Sequence, residues 1–250
     1  MAVGSASGRL LGSADVFRQV LADTLYDVKT VVARHPAVAL PIQRRRGHGE
    51  VIDETTQVVI EAFPRCASSF AVAAFRLAQE PRPTSIPHHT HMPAQVLEGV
   101  RRGIPTLVLI RPATDAIVSH LIRNPELGAR AAMRGYLRFY EPLARRRGGF
   151  VTATFEEVTT SFGSAIERLN ARFGSSFSPF EHTRANVERI EGEIERDYRT
   201  RERPGERFEA MVPRPSATRN AVKRDVRERV RREVPPSQVA RAHAVYRALL

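Results

Sequence analysis

Val16, Val20, Leu21, Leu25, Val28 and Val31 recur every three or four positions, which places them along one stripe of a helix over residues 14–34. A different pattern follows. Residues 56–62 hold the run Val58, Val59, Ile60, short and β-branched, as expected of a buried strand. Thr106–Ile110 (TLVLI) repeats that signature, residues 149–153 make a third core strand, and a further extended piece lies near residues 84–88. Helical patterning fills residues 70–79, 113–123 and 130–147. Thr154 and Glu157 have the spacing of a capping box, opening a helix that runs to about Phe173. The basic run Gln43, Arg44, Arg45, Arg46 within residues 43–49 reads as an exposed loop.

Strands that alternate with helices predict an α/β fold, a three-layer α/β/α arrangement around a mostly parallel sheet. With 250 residues, 42% hydrophobic and 26% charged, the chain is expected to form one domain. An N-terminal helix and loop would occupy residues 1–54 and the core 55–200. A basic C-terminal lid or tail would occupy 201–250, rich in Pro and Arg over 201–215 and helical over 217–233.

The net charge of +12 directs attention to anionic partners, and it is carried almost wholly by arginine, because Lys29 and Lys223 are the only lysines. The forked guanidinium suits phosphate and sulfate oxygens. A single cysteine, Cys66, excludes an intramolecular disulfide and suits a reducing compartment. The first residues lack the order of a secretory signal and no apolar run is long enough for a transmembrane segment, so the expected location is cytoplasmic. Aromatic content of 7%, no tryptophan, and no zinc-finger or helix-turn-helix signature argue against nucleic acid as the partner.

Three segments carry candidate chemistry. Phe63, Pro64, Arg65, Cys66, Ala67, Ser68, Ser69 and Phe70 join a strand to a helix, where open α/β sheets bind ligands. Helix-start amides, two hydroxyls and Arg65 could form a P-loop-like phosphate-binding turn, the alternative being an ordinary capped turn. The pattern GxxxxGK[ST] is missing, which disfavours an ATPase or GTPase. Next, Arg111 sits just past a strand end with Ser119 two turns along the following helix, and Asp115 reads as a cap or local ion pair. Last, His88, His89 and His91 form a cluster that could supply a general base. His89 and His91 could share one side of an extended segment, but no third metal ligand has recognisable spacing.

In this order and spacing, from about Thr56 to Gly174, the segments resemble the sulfotransferases that use 3′-phosphoadenosine 5′-phosphosulfate (PAPS). Phe63–Ser69 is similar to their 5′-phosphosulfate loop, Arg111 to Ser119 to their 3′-phosphate motif, and the stretch from His89 to Pro93 to the segment of their catalytic base. The resemblance implies a PAPS donor, no metal, and in-line sulfuryl transfer to a hydroxyl or amine. His91 would be the base, with Arg65, Cys66, Ala67, Ser68, Ser69, Phe70, Arg111 and Ser119 around the donor. Arg214, Arg219 and Lys223 would close over the 3′-phosphate. The acceptor could be a small molecule, a carbohydrate or a lipid, its pocket drawn from residues 123–140 and 177–198, and a homodimer is compatible.

The chain departs from the family loop by having Arg65 where lysine is common and Cys66, Ala67 where Ser-Gly is common. Losing the glycine removes a position free to take positive φ. The alternatives are a nucleotide or small-molecule kinase, or a degenerate PAPS-binding protein without turnover. Cys66 could be a low-pKa thiolate or a small filler of the turn.

Overall fold

A computed structural model of the chain describes residues 13–47, 50–200 and 217–250. Three parallel strands, β1 (Val59–Ala62), β2 (Thr106–Ile110) and β3 (Val151–Thr154), lie side by side in that order. Val59 to Ala62 pair with Thr106 to Leu109, and Leu107 to Ile110 with Val151 to Thr154. Alternate residues of a strand point to opposite faces, and every residue of β1 and β2 is buried, so both faces of the sheet are covered. This is the expected α/β architecture. The carboxyl ends of the strands emerge together at residues 62–63, 110–111 and 154–155.

The helices are α1 (Ser13–Val32), α2 (Pro36–Arg46), α3 (Ser68–Ala78), α4 (Pro93–Arg102), α5 (Ala113–Arg123), α6 (Ala129–Ala144), α7 (Phe155–Thr160), α8 (Phe162–Phe173), α9 (Arg184–Thr200), α10 (Ala217–Glu233) and α11 (Pro236–Leu249). α4 opens on a proline and lies close against the sheet at Gly99, where a Cβ would sit 2.7 Å from Thr106 Oγ1 and 3.1 Å from a Val59 methyl. Only glycine permits that approach.

Several expectations are corrected. The basic run at 43–46 is the last turn of α2 rather than loop, because Pro36 fits the first turn and the arginines suit the negative helix end. Gly47 at φ 64° then ends the helix. The strand expected over 56–62 begins at Val59, since the Asp53 carboxylate takes the Thr55 amide and hydroxyl and the Asp53 amide donates to Thr56 Oγ1, making a turn. The piece at 84–88 forms no strand, only an isolated bridge from His88 to Glu50. The helix expected from 154 to 173 breaks at Ser161 into α7 and α8. Half of the capping box forms: Thr154 Oγ1 accepts from the Glu157 amide at 3.1 Å, while the Glu157 carboxylate pairs with Arg168.

The apolar stripe of α1 faces outward, with Phe17, Val20, Leu21, Leu25 and Val28 all at least half exposed. The opposite face docks on α6 through polar contacts. Asp27 pairs with Arg134 and Arg138, and Asp23 accepts from the Gly128 amide at 2.7 Å.

At the other end of the chain, Val230, Val234, Ala242 and Leu249 of the C-terminal helical region are buried in the same core as the sheet. Residues 201–216, including Arg214, lie outside the described residues, as does the side chain of Arg219. No helix among the described residues is long and apolar enough to cross a membrane.

Candidate active site

The turn between β1 and α3 is built without glycine, yet Arg65 (φ 70°) and Ala67 (φ 67°) both take the left-handed conformation. Each costs on the order of 1–2 kcal/mol for a residue with a Cβ. The expectation that losing glycine forfeits the positive φ is therefore corrected: Ala67 adopts it. Surrounding bonds hold the strain in place. The Tyr140 hydroxyl donates to the Leu109 carbonyl at 2.7 Å and accepts from the Phe63 amide at 3.3 Å, tying the ends of β2 and β1 together. Cys66 turns its thiol into the core, and burial pushes it up to about 11, so it is a filler rather than a thiolate. What Cys66 could lend a ligand is its backbone amide alone. Ser68 is buried, Ser69 Oγ lies 3.1 Å from His89 Nε2, and Phe70 packs edge-on against Phe180.

At the end of β2, Arg111 stacks over the Phe155 ring at 4.0 Å and donates through Nη1 to the Arg65 carbonyl at 3.2 Å. Arg65 in turn donates through Nε to Ser119 Oγ at 3.0 Å. Two stretches about fifty residues apart in sequence therefore interlock beside the turn. Asp115 pairs with Arg227 of α10 at 2.5 Å, a partner 112 residues away rather than the cap or local pair expected of it.

The histidines divide into different duties. His88 is buried, with Nδ1 2.6 Å from the Ile86 carbonyl, and serves as a strut. His89 (φ 59°) and His91 (φ 51°) are again left-handed. His91 Nδ1 lies 2.8 Å from the Ala62 carbonyl, which can only accept, so the proton sits on Nδ1 and the lone pair on Nε2. Burial, with Lys29, Arg123 and Arg65 nearby, pushes this imidazole down to about 4. It is neutral at physiological pH.

Beneath it lies a group that the sequence reading passed over. Glu61, in the middle of β1, is wholly buried, and its Oε1 is 3.9 Å from His91 Nδ1. Burial raises this carboxyl to about 7, against the stabilising bonds from the Thr90 hydroxyl at 2.5 Å and the Ala62 amide at 3.1 Å. An acidic residue inside a β-branched run was the available signal.

The turn, the end of β2 and the histidines border one cleft of about 1220 Å³, with Glu61 and Tyr140 behind its wall. Arg65, Ala67, Ser68, Ser69, Phe70, His88, His89, His91, Arg111, Ser119 and Lys223 all border it, while Cys66 does not. The regions expected to shape an acceptor pocket contribute Arg123, Phe139 and Ile194, among others. Tyr26, Lys29 and Thr30 of α1 also border the cleft and were not anticipated, nor was His120. No cluster of three metal-ligating side chains occurs among the described residues.

No family model and no curated protein matches the chain. Among solved structures it is similar to a mouse sulfotransferase, SULT7A1, complexed with PAP, at 12% identity and a TM-score of 0.40 over 79% of this chain and 85% of that one.

Proposed function

We propose that the cleft transfers a sulfuryl group from PAPS to a hydroxyl or amine. The observation that carries this reading is the interlock of Arg65, Arg111 and Ser119 at the ends of β1 and β2, next to a neutral imidazole. In the proposed reaction the acceptor oxygen attacks sulfur in line and its proton passes to His91 Nε2. The bond from sulfur to the 5′-phosphate oxygen breaks, and its electron pair leaves with adenosine 3′,5′-bisphosphate. Arg65 and the amides of the left-handed turn oppose the charge that builds on the sulfuryl and phosphate oxygens. Arg111 and Ser119 hold the 3′-phosphate, the Ser119 hydroxyl donating to it while accepting from Arg65 Nε. Glu61 acts through His91 as a positioning residue.

Calorimetric titration tests this reading. Adenosine 3′,5′-bisphosphate should bind at least about tenfold more tightly than adenosine 5′-phosphate, one charge-assisted contact being worth about 1.5–3 kcal/mol. Arg111→Ala should abolish that difference. Equal affinities in the unaltered protein would overturn the assignment.

A further inference from the structure

Of the large apolar side chains left exposed among the described residues, all but Val222 and Leu250 lie between Val16 and Ile42. Most stand on α1, while Val38 and Ile42, one turn apart, stand on α2. The α1 residues recur at helical spacing and form one stripe along a helix about 30 Å long. Phe17 is 70% exposed and Leu25 63%, and the stripe shows on the order of 600 Å² to solvent, at the upper end of what a soluble monomer carries. The polar side of the same helix is committed to α6 through Asp23 and Asp27, so the apolar side is fixed outward.

The charges beside the stripe are cations. Arg18 and Lys29 are eleven residues apart, close to three turns, and so occupy one edge of it. Arg46, at the end of α2, lies near enough to Lys29 to depress its basicity, and neither has a carboxylate partner among the described residues. Arg44 and Arg45 precede it. The acidic residues within 13–47 are Asp15, Asp23 and Asp27. Two of them face α6, and Asp15 is 4.0 Å from Arg18 in an exposed pair, a kind that contributes little. A second copy of the chain fits this face poorly. Arg18 and Lys29 are equally far from the middle of the stripe, so an antiparallel two-fold pairing sets Arg18 of each copy beside Lys29 of the other, like charge against like.

We infer that this face docks the protein on an anionic phospholipid surface: Phe17, Leu21, Leu25 and Val28 enter the boundary between headgroups and acyl chains, and Arg18, Arg45 and Arg46 meet the lipid phosphates. With five charged residues, α1 lies in such a surface and does not cross it. The same helix borders the cleft through Tyr26 and Thr30, so a docked protein holds one wall of its cleft at the lipid. Docking of this kind does not depend on the transfer chemistry.

The test is co-sedimentation of the full chain with lipid vesicles. Phosphatidylcholine vesicles containing about one-third phosphatidylserine should bind at least about tenfold more tightly than phosphatidylcholine alone, and raising salt from about 0.1 to 0.5 M should remove most of that preference. Phe17→Ser with Leu21→Ser, both at exposed positions, should weaken binding to the anionic vesicles at least about tenfold and leave the melting temperature within about 2 °C. Arg45→Gln with Arg46→Gln should weaken it about 10- to 30-fold. No detectable binding, equal binding to both kinds of vesicle, or a Phe17→Ser, Leu21→Ser protein that binds as well as the unaltered one would each overturn the docking face. A dimer seen by sedimentation velocity and lost in that same variant would assign the stripe to a second copy and overturn it as well.

Discussion

Replacing Glu61 by Gln should make the protein more stable in alkaline buffer, with the gain growing as pH rises. Burial lifts the native carboxyl from 4.5 to about 7. Between those values the native state keeps a proton that the unfolded chain has released. Because the native state then binds more protons, stability falls as pH rises through the window and levels off above it. At about 1.4 kcal/mol per pH unit, the full loss is about 3 kcal/mol. Gln at 61 cannot ionise, so that loss should vanish. Urea denaturation of both proteins between pH 5 and 8.5 measures it. The direct cost of altering the bonds to Thr90 and Ala62 appears already at pH 5, where the carboxyl is largely protonated. The increase in the difference toward pH 8 isolates the ionisation. His91 and His120 have native pKa values lowered to about 4 and about 3, so each adds a loss of stability as pH falls below 6.5. Both proteins carry them, and they largely cancel. A pH-independent stability difference between the two would refute the reasoning.

His91→Ala should lower turnover about 10²- to 10⁴-fold with little change in bisphosphate affinity. In the unaltered enzyme the acid limb of the rate profile should fall near pH 4, and a limb centred at 6.5 would move the base to a less buried imidazole. Tyr140→Phe should cost about 1–3 kcal/mol in urea denaturation, because the Leu109 carbonyl and Phe63 amide lose their shared hydroxyl. A cost below about 0.5 kcal/mol would show that the hydroxyl does not hold the strand ends. Ala67→Gly should raise stability by up to about 1 kcal/mol, relief of the left-handed alanine exceeding the added chain entropy. A lower melting temperature would contradict this.

The three core strands and the helices at 68–78, 113–123 and 129–144 were legible because each strand is a compact apolar run bounded by turn residues, whereas α4, α9 and α11 were not anticipated. Local pattern did not reveal which side of α1 meets the protein. The Val and Leu stripe gives the period, but the ion pairs of Asp27 with α6 decide the face, and those partners lie over a hundred residues away. Arginine content at 43–46 reports exposure, not backbone shape, so α2 was hidden. The meeting of Arg65 with Arg111 and Ser119 followed from the rule that ligands gather at strand ends. Side-chain direction was not available from sequence: Cys66 turning inward, the proton on His91 Nδ1, and the buried Glu61 all depend on distant neighbours.

A chain with two lysines, both bordering its cleft, lends itself to site-directed modification without mutagenesis. Besides the terminal α-amine, amine-selective acylating reagents have just those two side chains to find, against a background of inert guanidinium groups. Burial and Arg46 lower the basicity of Lys29, which leaves more of its amine as free nucleophile near neutrality. A fluorophore or cross-linker attached there would report directly on whatever occupies the cavity.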